Sequence, residues 1–359
     1  MSGADLAFGL ASSVGPVPFT SVDDAVSFAL RTHTRFPTVP VVSSPEASLV
    51  AQAVSGLAGT TLAQLVDPDS APLARSLSDS LVSTGALADA DAASAAGSSL
   101  DGVAFDAVRA FCSAVAEPDV PTPAAIRVPV LGPVTLSLAL RAAGHPVADA
   151  DRAASAVVAS RAVALLRTVR RQVVSGSSPV VAVVLCEPGL VGSMHPTFPL
   201  LPGEIRALLD PVVDALDRAA PSDSQLIGVH VPGPCDWPAV VGCGASLLCV
   251  PVDGSLLGWA PLFGDLLDRG GRLCWGAIPV DGPMGTSTDP HWRRLVSLWT
   301  SMVAEGVDPM ALRLRSAFSP VDGLGHFGPS QAELVMDLTV GVAERVGHQA
   351  VAARLSLGA

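Results

Sequence analysis

Lysine and tyrosine are both missing from this sequence of 359 residues, so its 21 strongly basic side chains are all arginines. Without lysine the chain can form no lysine Schiff base with a carbonyl substrate, and it cannot build the phosphate-binding loop that depends on a lysine. Without tyrosine, no phenol can act as a general acid. These absences exclude several enzyme classes at the outset.

A basic surface is missing as well. The formal net charge is −12, with 33 acidic residues against the 21 arginines. The densest basic stretch, RTVRRQ at 167–172, falls on a predicted helix and is explained by a solvated helix face. Because nucleic-acid binding needs a positive face for the phosphates, we do not expect a nucleic-acid partner.

Long apolar runs are also lacking. No stretch of about eighteen residues is free of polar breaks, so no transmembrane helix is predicted. The first ten residues, MSGADLAFGL, place no basic region before their apolar run, which is not typical of a signal peptide. We therefore expect a cytoplasmic protein with a small-molecule substrate and no membrane contact, and the pattern predicts no particular oligomeric state.

The cysteines form no CxxC pair. In a cytoplasmic chain of this size they are interpreted as free thiols, most of which behave as small apolar residues within strands. The six are Cys112, Cys186, Cys235, Cys243, Cys249 and Cys274.

Eight short apolar runs rich in β-branched residues predict strands that are buried on both faces, as in a parallel sheet. They lie at 5–12, 38–43, 125–132, 179–186, 225–231, 245–252, 271–280 and 311–319. Helical patterns lie between them, at 151–175, 203–219, 255–268, 288–305 and 329–347. This alternation predicts one (β/α)8 TIM barrel domain over residues 1–359, with a helical insertion at 60–120 between strands 2 and 3. A doubly wound sheet is the alternative, but no GxGxxG follows the first strand.

In such barrels the active site lies at the carboxyl ends of the strands. The predicted strands deliver a set of polar residues there, any of which could instead cap a helix or bind backbone. The candidates for substrate binding are Ser12, Ser13, Glu187, Asp236 and Trp275, and the candidates for the reacting centre are His230, Cys235 and Asp322. Thr135, Asp253, Asp281 and Ser319 also lie near strand ends.

Six segments, in order, resemble those of one known family. They are GLASSVGPVPFTSVDDAV, VPVLGPVTLSLAL, VVLCEPGLVG, GVHVPGPCDW, GGRLCWGAIPVDGP and SPVDGLGHFGPSQAE. Together they are similar to the cobalamin-independent methionine synthase family, within the superfamily that includes uroporphyrinogen decarboxylase. The decarboxylase branch fits less well, because its arginine-rich N-terminal segment corresponds here to ASSVGPVPFTSVDD, which has no arginine.

The resemblance implies methyl transfer to a thiol such as homocysteine, with zinc holding that thiol as a thiolate. The family's zinc histidine corresponds to His230, but its cysteine two residues later corresponds to Pro232. The glutamate position falls near Pro251, and the last cysteine corresponds to Asp322. Zinc, if present, would therefore retain His230 and Asp322 as ligands. A mixed set with Cys235 and Asp253 is the alternative.

Three functions follow as hypotheses. The first is a methionine-synthase-like methyltransferase with altered activity. The second is a metal-free pseudoenzyme or small-molecule-binding protein on the same barrel, favoured by Pro232, Pro251 and by Cys186, which stands where the family's substrate-binding aspartate lies. The third is metal-free acid–base chemistry that uses His230 with Asp236 or Asp322.

Overall fold

The main sheet of the protein is curled and consists of seven parallel strands. The structure, a computed structural model, describes residues 6–63, 80–173, 179–221 and 223–356. Within them the strands are β1 Leu10–Ala11, β2 Thr60–Leu62, β3 Leu81–Ser83, β4 Ala125–Leu131, β5 Val180–Cys186, β6 Gln225–His230, β7 Leu247–Pro251, β8 Arg272–Ile278 and β9 Ser316–Pro320. The order across the main sheet is β1-β9-β8-β7-β6-β5-β4, and β2 and β3 form a separate antiparallel pair.

Helices connect these strands and cover the sheet. They are α1 Val22–Thr32, α2 Leu49–Val54, α3 Ala90–Ser98, α4 Asp106–Val115, α5 Pro133–Ala142, α6 Val147–Val173, α7 Pro202–Ala219, α8 Trp237–Gly242, α9 Ala260–Asp268, α10 Asp289–Ala304, α11 Pro309–Leu314 and α12 Pro329–Ser356. Of the helices described, none combines the length and the apolar character needed to cross a membrane.

Alternation along each strand produces two separate apolar cores. One, here called the outer core, lies between the sheet and the helices and includes Val183, Val229 and Trp275. The other, the inner core, lies on the concave face and includes Val184, Leu226 and Leu247. Because successive side chains of a strand point to opposite faces, strands buried on both faces are apolar almost throughout.

The expected second strand, 38–43, is replaced by two isolated bridges. Thr38 pairs with Arg127 of β4, and Val41 pairs with Pro16 just after β1, both in parallel. Pro37 and Pro40 have no N–H to donate, so this stretch cannot form a regular ladder. The seven-stranded sheet is therefore open between β1 and β4, and a complete eight-stranded ladder is not formed.

The other predicted strands correspond to β4 to β8 closely, whereas the two terminal ones are shorter. The first is reduced to the two residues of β1. The last begins only at Ser316, because the start of the predicted run forms α11, whose N-terminal amides are bound by the Asp308 carboxylate.

The expected helical insertion at 60–120 contains both helices and strands. Helices α3 and α4 lie in it, together with the β2–β3 hairpin, and 64–79 lies outside the described residues. Helix α3 packs directly on α6: a Cβ added at Gly97 would lie 2.4 Å from the Val157 carbonyl oxygen. Nearby, Arg161 of α6 donates to the carbonyls of Ser55 and Ser99. Close helix packing therefore holds the insertion to the sheet domain.

The contact at Gly97 gives a stability prediction. Gly97→Ala should lower the free energy of unfolding by about 1–3 kcal/mol, because backbone atoms of α6 must move to admit the methyl group. Gly203, near the start of α7, is the matched control, since nothing lies within 4 Å of an added Cβ there. Gly203→Ala should stabilise the protein by up to about 1 kcal/mol. Urea unfolding of both variants checks this, and equal effects would contradict it.

Candidate functional site

Four neighbouring strands place a sulfur or an imidazole in register on the concave face. Cys186 of β5 pairs with His230 of β6, His230 pairs with Cys249 of β7, and Cys249 pairs with Cys274 of β8. Residues in register on adjacent strands lie about 4.8 Å apart and point to the same face. We call these four residues the strand-end row. All four are buried.

A buried arginine faces this row. Arg127 of β4 is 1% exposed, and its guanidinium donates to the sulfur of Cys249 at 3.5 Å and to that of Cys274 at 3.9 Å. Its Nε has no hydrogen-bond partner among the described residues. Burial acts to lower the pKa of Arg127, but the sulfurs of Cys249, Cys274 and Cys186 offset this, and the pKa is raised. Arg127 therefore remains a buried cation in contact with thiols.

The two thiols that Arg127 contacts have opposite acidities. The pKa of Cys274 is lowered, first because it accepts a hydrogen bond from the Cys249 thiol and then because of the Arg127 charge and the Ser319 hydroxyl. The pKa of Cys249 is raised well above its usual value, chiefly by burial. Burial also raises the pKa of Cys186, to about 12. The acidic thiol of the row is therefore Cys274.

His230 is held as a neutral ring. Its Nε2 lies 2.9 Å from the carbonyl oxygen of Val321, an atom that can only accept, so Nε2 carries the proton. Burial and then the Arg127 charge lower the pKa of His230 to about 4, although Asp322 opposes this. At neutral pH the ring is thus uncharged, and its Nδ1 has no hydrogen-bond partner among the described residues.

The loop after β9 covers this end of the sheet. Besides accepting from His230, Val321 lies against β8, where its Cα would be 2.9 Å from a Cβ added at Gly276. Farther along, Leu324 donates to the Pro16 carbonyl at 2.7 Å, which ties the loop to the segment after β1. The strand-end row therefore lies beneath a packed loop.

A second polar chain lies where β1 ends. The Ser12 and Thr38 hydroxyls are 2.8 Å apart, and Thr38 donates to the Ser13 carbonyl. The Thr32 hydroxyl donates to a carbonyl in α1, so it accepts a hydrogen bond from Nδ1 of His33. Because Nδ1 carries the proton, Nε2 of His33 accepts from the Ser13 hydroxyl, at 3.2 Å. Burial, and next the Arg127 charge, lower the pKa of His33 to about 3. The predicted residues Ser12 and Ser13 thus join a neutral, fully bonded chain.

Glu187, predicted to bind substrate, caps a helix instead. It follows Cys186 directly and therefore points to the opposite face of the sheet. Its carboxylate accepts from the amides of Val134 and Thr135 at the start of α5, at 2.9 and 2.7 Å, and from the Thr135 hydroxyl at 2.5 Å. Burial raises its pKa to about 7, although these donors oppose the shift. All this bonding is internal, so Glu187 positions α5.

Three further predicted site residues lie away from the row. Cys235 is buried in the outer core, where burial and then Asp236 raise its pKa. Asp236 binds the Ala239 amide at 3.0 Å and so caps α8. Trp275 points to the outer face, donates to the Ser316 hydroxyl and packs edge-on against Trp299. None of the three joins His230 on the concave face.

Asp322 and His230, the two residues that the resemblance implies for zinc, lie close enough for their charges to interact. The exposed Asp322 carboxylate accepts from the Gly323 amide at 2.7 Å, and its charge raises the pKa of His230. Among the residues described, no group of three histidine, cysteine or acidic side chains could hold a metal ion. The residues that the resemblance implies for zinc, His230 and Asp322, thus lack a third ligand, and Cys235 does not supply one.

Arg127, Cys249, Cys274 and His33 were missed by the sequence interpretation. Three of them lie inside apolar runs and His33 directly follows α1, so all four look like incidental residues. The feature of the sequence that could have revealed them is the alternation of side chains between the two faces of a strand. Arg127 shares its strand face with Ala125, and Cys274 lies on the face opposite Trp275. A cation that alternates with apolar residues inside a buried strand needs a polar partner on the same face.

The helix cap at Glu187 gives a second prediction. Glu187→Ala should lower the free energy of unfolding by at least about 2 kcal/mol, because buried donors at the start of α5 lose their acceptor. Glu204 is the control: its exposed carboxylate accepts from the Leu201 amide at 2.7 Å at the start of α7. Glu204→Ala should cost clearly less, because water replaces the lost acceptor. Chemical denaturation measures both, and similar losses would contradict the assignment.

His230 gives a prediction for pH. The unfolded chain takes up a proton on this residue below a pKa of 6.5, whereas the folded chain does so only near 4. Stability that is present above pH 6.5 is therefore lost as the pH falls, by up to about 3 kcal/mol at pH 4. His230→Gln keeps a donor for Val321 but does not titrate, so its stability should fall less on acidification. His195→Gln, at an exposed position, should follow the unmodified protein.

No protein-family model matches the chain, and no curated protein matches it significantly. The similarity to the methionine synthase family therefore rests on the six segments alone, and it remains a hypothesis about this chain.

Proposed function

We propose that the protein is a metal-free, small-molecule-binding member of the methionine-synthase-like (β/α)8 barrels, with its ligand at the carboxyl ends of the strands. Segment 37–41 takes the place of the second strand, between β1 and β4. Its bridges to Arg127 and Pro16 support this eight-membered arrangement. In barrels of this type the ligand site lies at that end of the sheet.

The observation that carries the proposal is the state of His230. Its Nε2–H is committed to the Val321 carbonyl, so only Nδ1 is left as an acceptor for a ligand. A general base works best when its pKa lies near the working pH, and a pKa of about 4 makes this ring a weak base. The geometry therefore favours binding, by a hydrogen bond from the ligand to Nδ1, over acid–base catalysis by this residue.

Methyl transfer to a thiol is the second candidate. One observation favours it: a histidine that ligates a metal through one nitrogen commonly donates its other N–H to a carbonyl, as His230 does to Val321. The other family positions do not supply ligands, because Pro232 has no donor atom and Cys235 lies in the outer core, and no group of three metal-binding side chains forms among the described residues. We therefore assign no step to zinc.

Metal content decides between the two candidates. Protein purified without added metal should contain far less than one zinc ion per chain, and His230→Ala should leave this content unchanged. Inductively coupled plasma mass spectrometry measures both. About one zinc per chain, lost in His230→Ala, together with methyl transfer to homocysteine, would overturn the metal-free proposal and favour the methyltransferase.

Ligand retention tests the binding site itself. Small molecules released by denaturing the purified protein should include one that is present in the unmodified chain and missing from His230→Phe. His195→Phe is the matched control, because it makes the same change at an exposed loop position, and it should retain the molecule. Identical extracts from all three proteins would contradict a ligand site at His230.

A further inference from the structure

The positive charge of Arg127 has no carboxylate partner in the described part of the chain. An unpaired charge in a protein interior costs several kcal/mol, so a negative group is expected beside it. Arg161, also 1% exposed, shows the ordinary alternative: backbone carbonyls and the face of Phe105 surround its guanidinium, and burial lowers its pKa to about 10. Arg127 instead points at sulfur.

The sulfurs are arranged so that one of them can carry the charge. Cys249 and Cys274 are register partners on β7 and β8, and Arg127 reaches both. The buried Ser319 hydroxyl, on the neighbouring strand β9, has no partner of ordinary hydrogen-bond geometry among the described residues. A thiolate at Cys274 would accept from the Cys249 thiol, the guanidinium and this hydroxyl at once.

We propose that Cys274 is a thiolate with Arg127 as its counter-ion, and that it is the nucleophile of the strand-end row towards small, uncharged electrophiles. This assignment is independent of the ligand site proposed at His230. An uncharged electrophile fits because the concave face around the pair is apolar, with Leu226, Leu247 and Ala317 in the inner core.

The chemistry needs no general base. A thiolate attacks an electrophilic carbon directly: the S–C bond forms, the bond from carbon to the leaving group breaks, and the leaving group departs with that electron pair. No proton moves in this step, so the weak basicity of His230 is no obstacle. The environment of Cys274 differs from that of Cys112, because burial alone raises the pKa of Cys112 to about 12.

The ultraviolet absorbance band of thiolates tests the charge state. Folded protein at neutral pH should show one thiolate per chain, which Cys274→Ser removes and Cys112→Ser does not. Cys249→Ser keeps a hydroxyl donor and should keep the band, whereas Cys249→Ala should weaken it. Absence of the band in the unmodified protein, or its persistence in Cys274→Ser, would overturn the assignment. Arg127→Met should also abolish the band. If Arg127→Met does not fold, Cys249→Ala supplies the test in its place.

Alkylation tests the nucleophile. Iodoacetamide, a small neutral electrophile, should modify Cys274 in the folded protein about tenfold faster or more than Cys112, as peptide mass spectrometry would show. The expected product is the thioether at Cys274 with release of iodide. If Cys274 reacts no faster than Cys112 although the thiolate band is present, the role as a nucleophile is wrong.

Discussion

One buried cation sets the chemistry of the concave face. Arg127 is 1% exposed and projects from β4 into an otherwise apolar interior, where no carboxylate among the described residues balances its charge. Its field acts on the groups around it in opposite directions: it lowers the pKa of His33 and His230 and so favours their neutral forms, and it lowers the pKa of Cys274 and so favours the thiolate. Together with burial, which acts more strongly on both histidines, and with the hydrogen bond from Cys249 to Cys274, this one side chain therefore sets the charge states of His33, His230 and Cys274.

Parallel register brings these groups together. Cys186, His230, Cys249 and Cys274 are far apart in the chain, yet each pairs with the next across the sheet. Cys186 and His230 end their strands, whereas Cys249 is the middle residue of β7 and Cys274 is the third residue of β8. The residue after each member of the row points to the opposite face of the sheet. Glu187 and Trp275 therefore contact the helices that cover that face. Alternation thus separates the residues that can act chemically from those that support them.

The apolar runs were enough to predict β4 to β8 and most of the long helices, because strands buried on both faces have a distinctive composition. They did not predict the open edge, where Pro37 and Pro40 prevent a ladder that the β-branched residues favour. The site was harder to predict, since membership of the row depends on the face and register of each strand. Without these, Trp275 is as plausible a pocket residue as Cys274.

The six segments that resemble the methionine synthase family place His230 at the expected strand end, but the charge around it is arranged differently. A zinc ion there would lie near Arg127, and repulsion between two buried cations is costly unless thiolates intervene. Zinc in that family holds the thiol of a substrate as a thiolate. Here a guanidinium lies beside thiols of the protein itself, and it can stabilise an ionised sulfur without a metal.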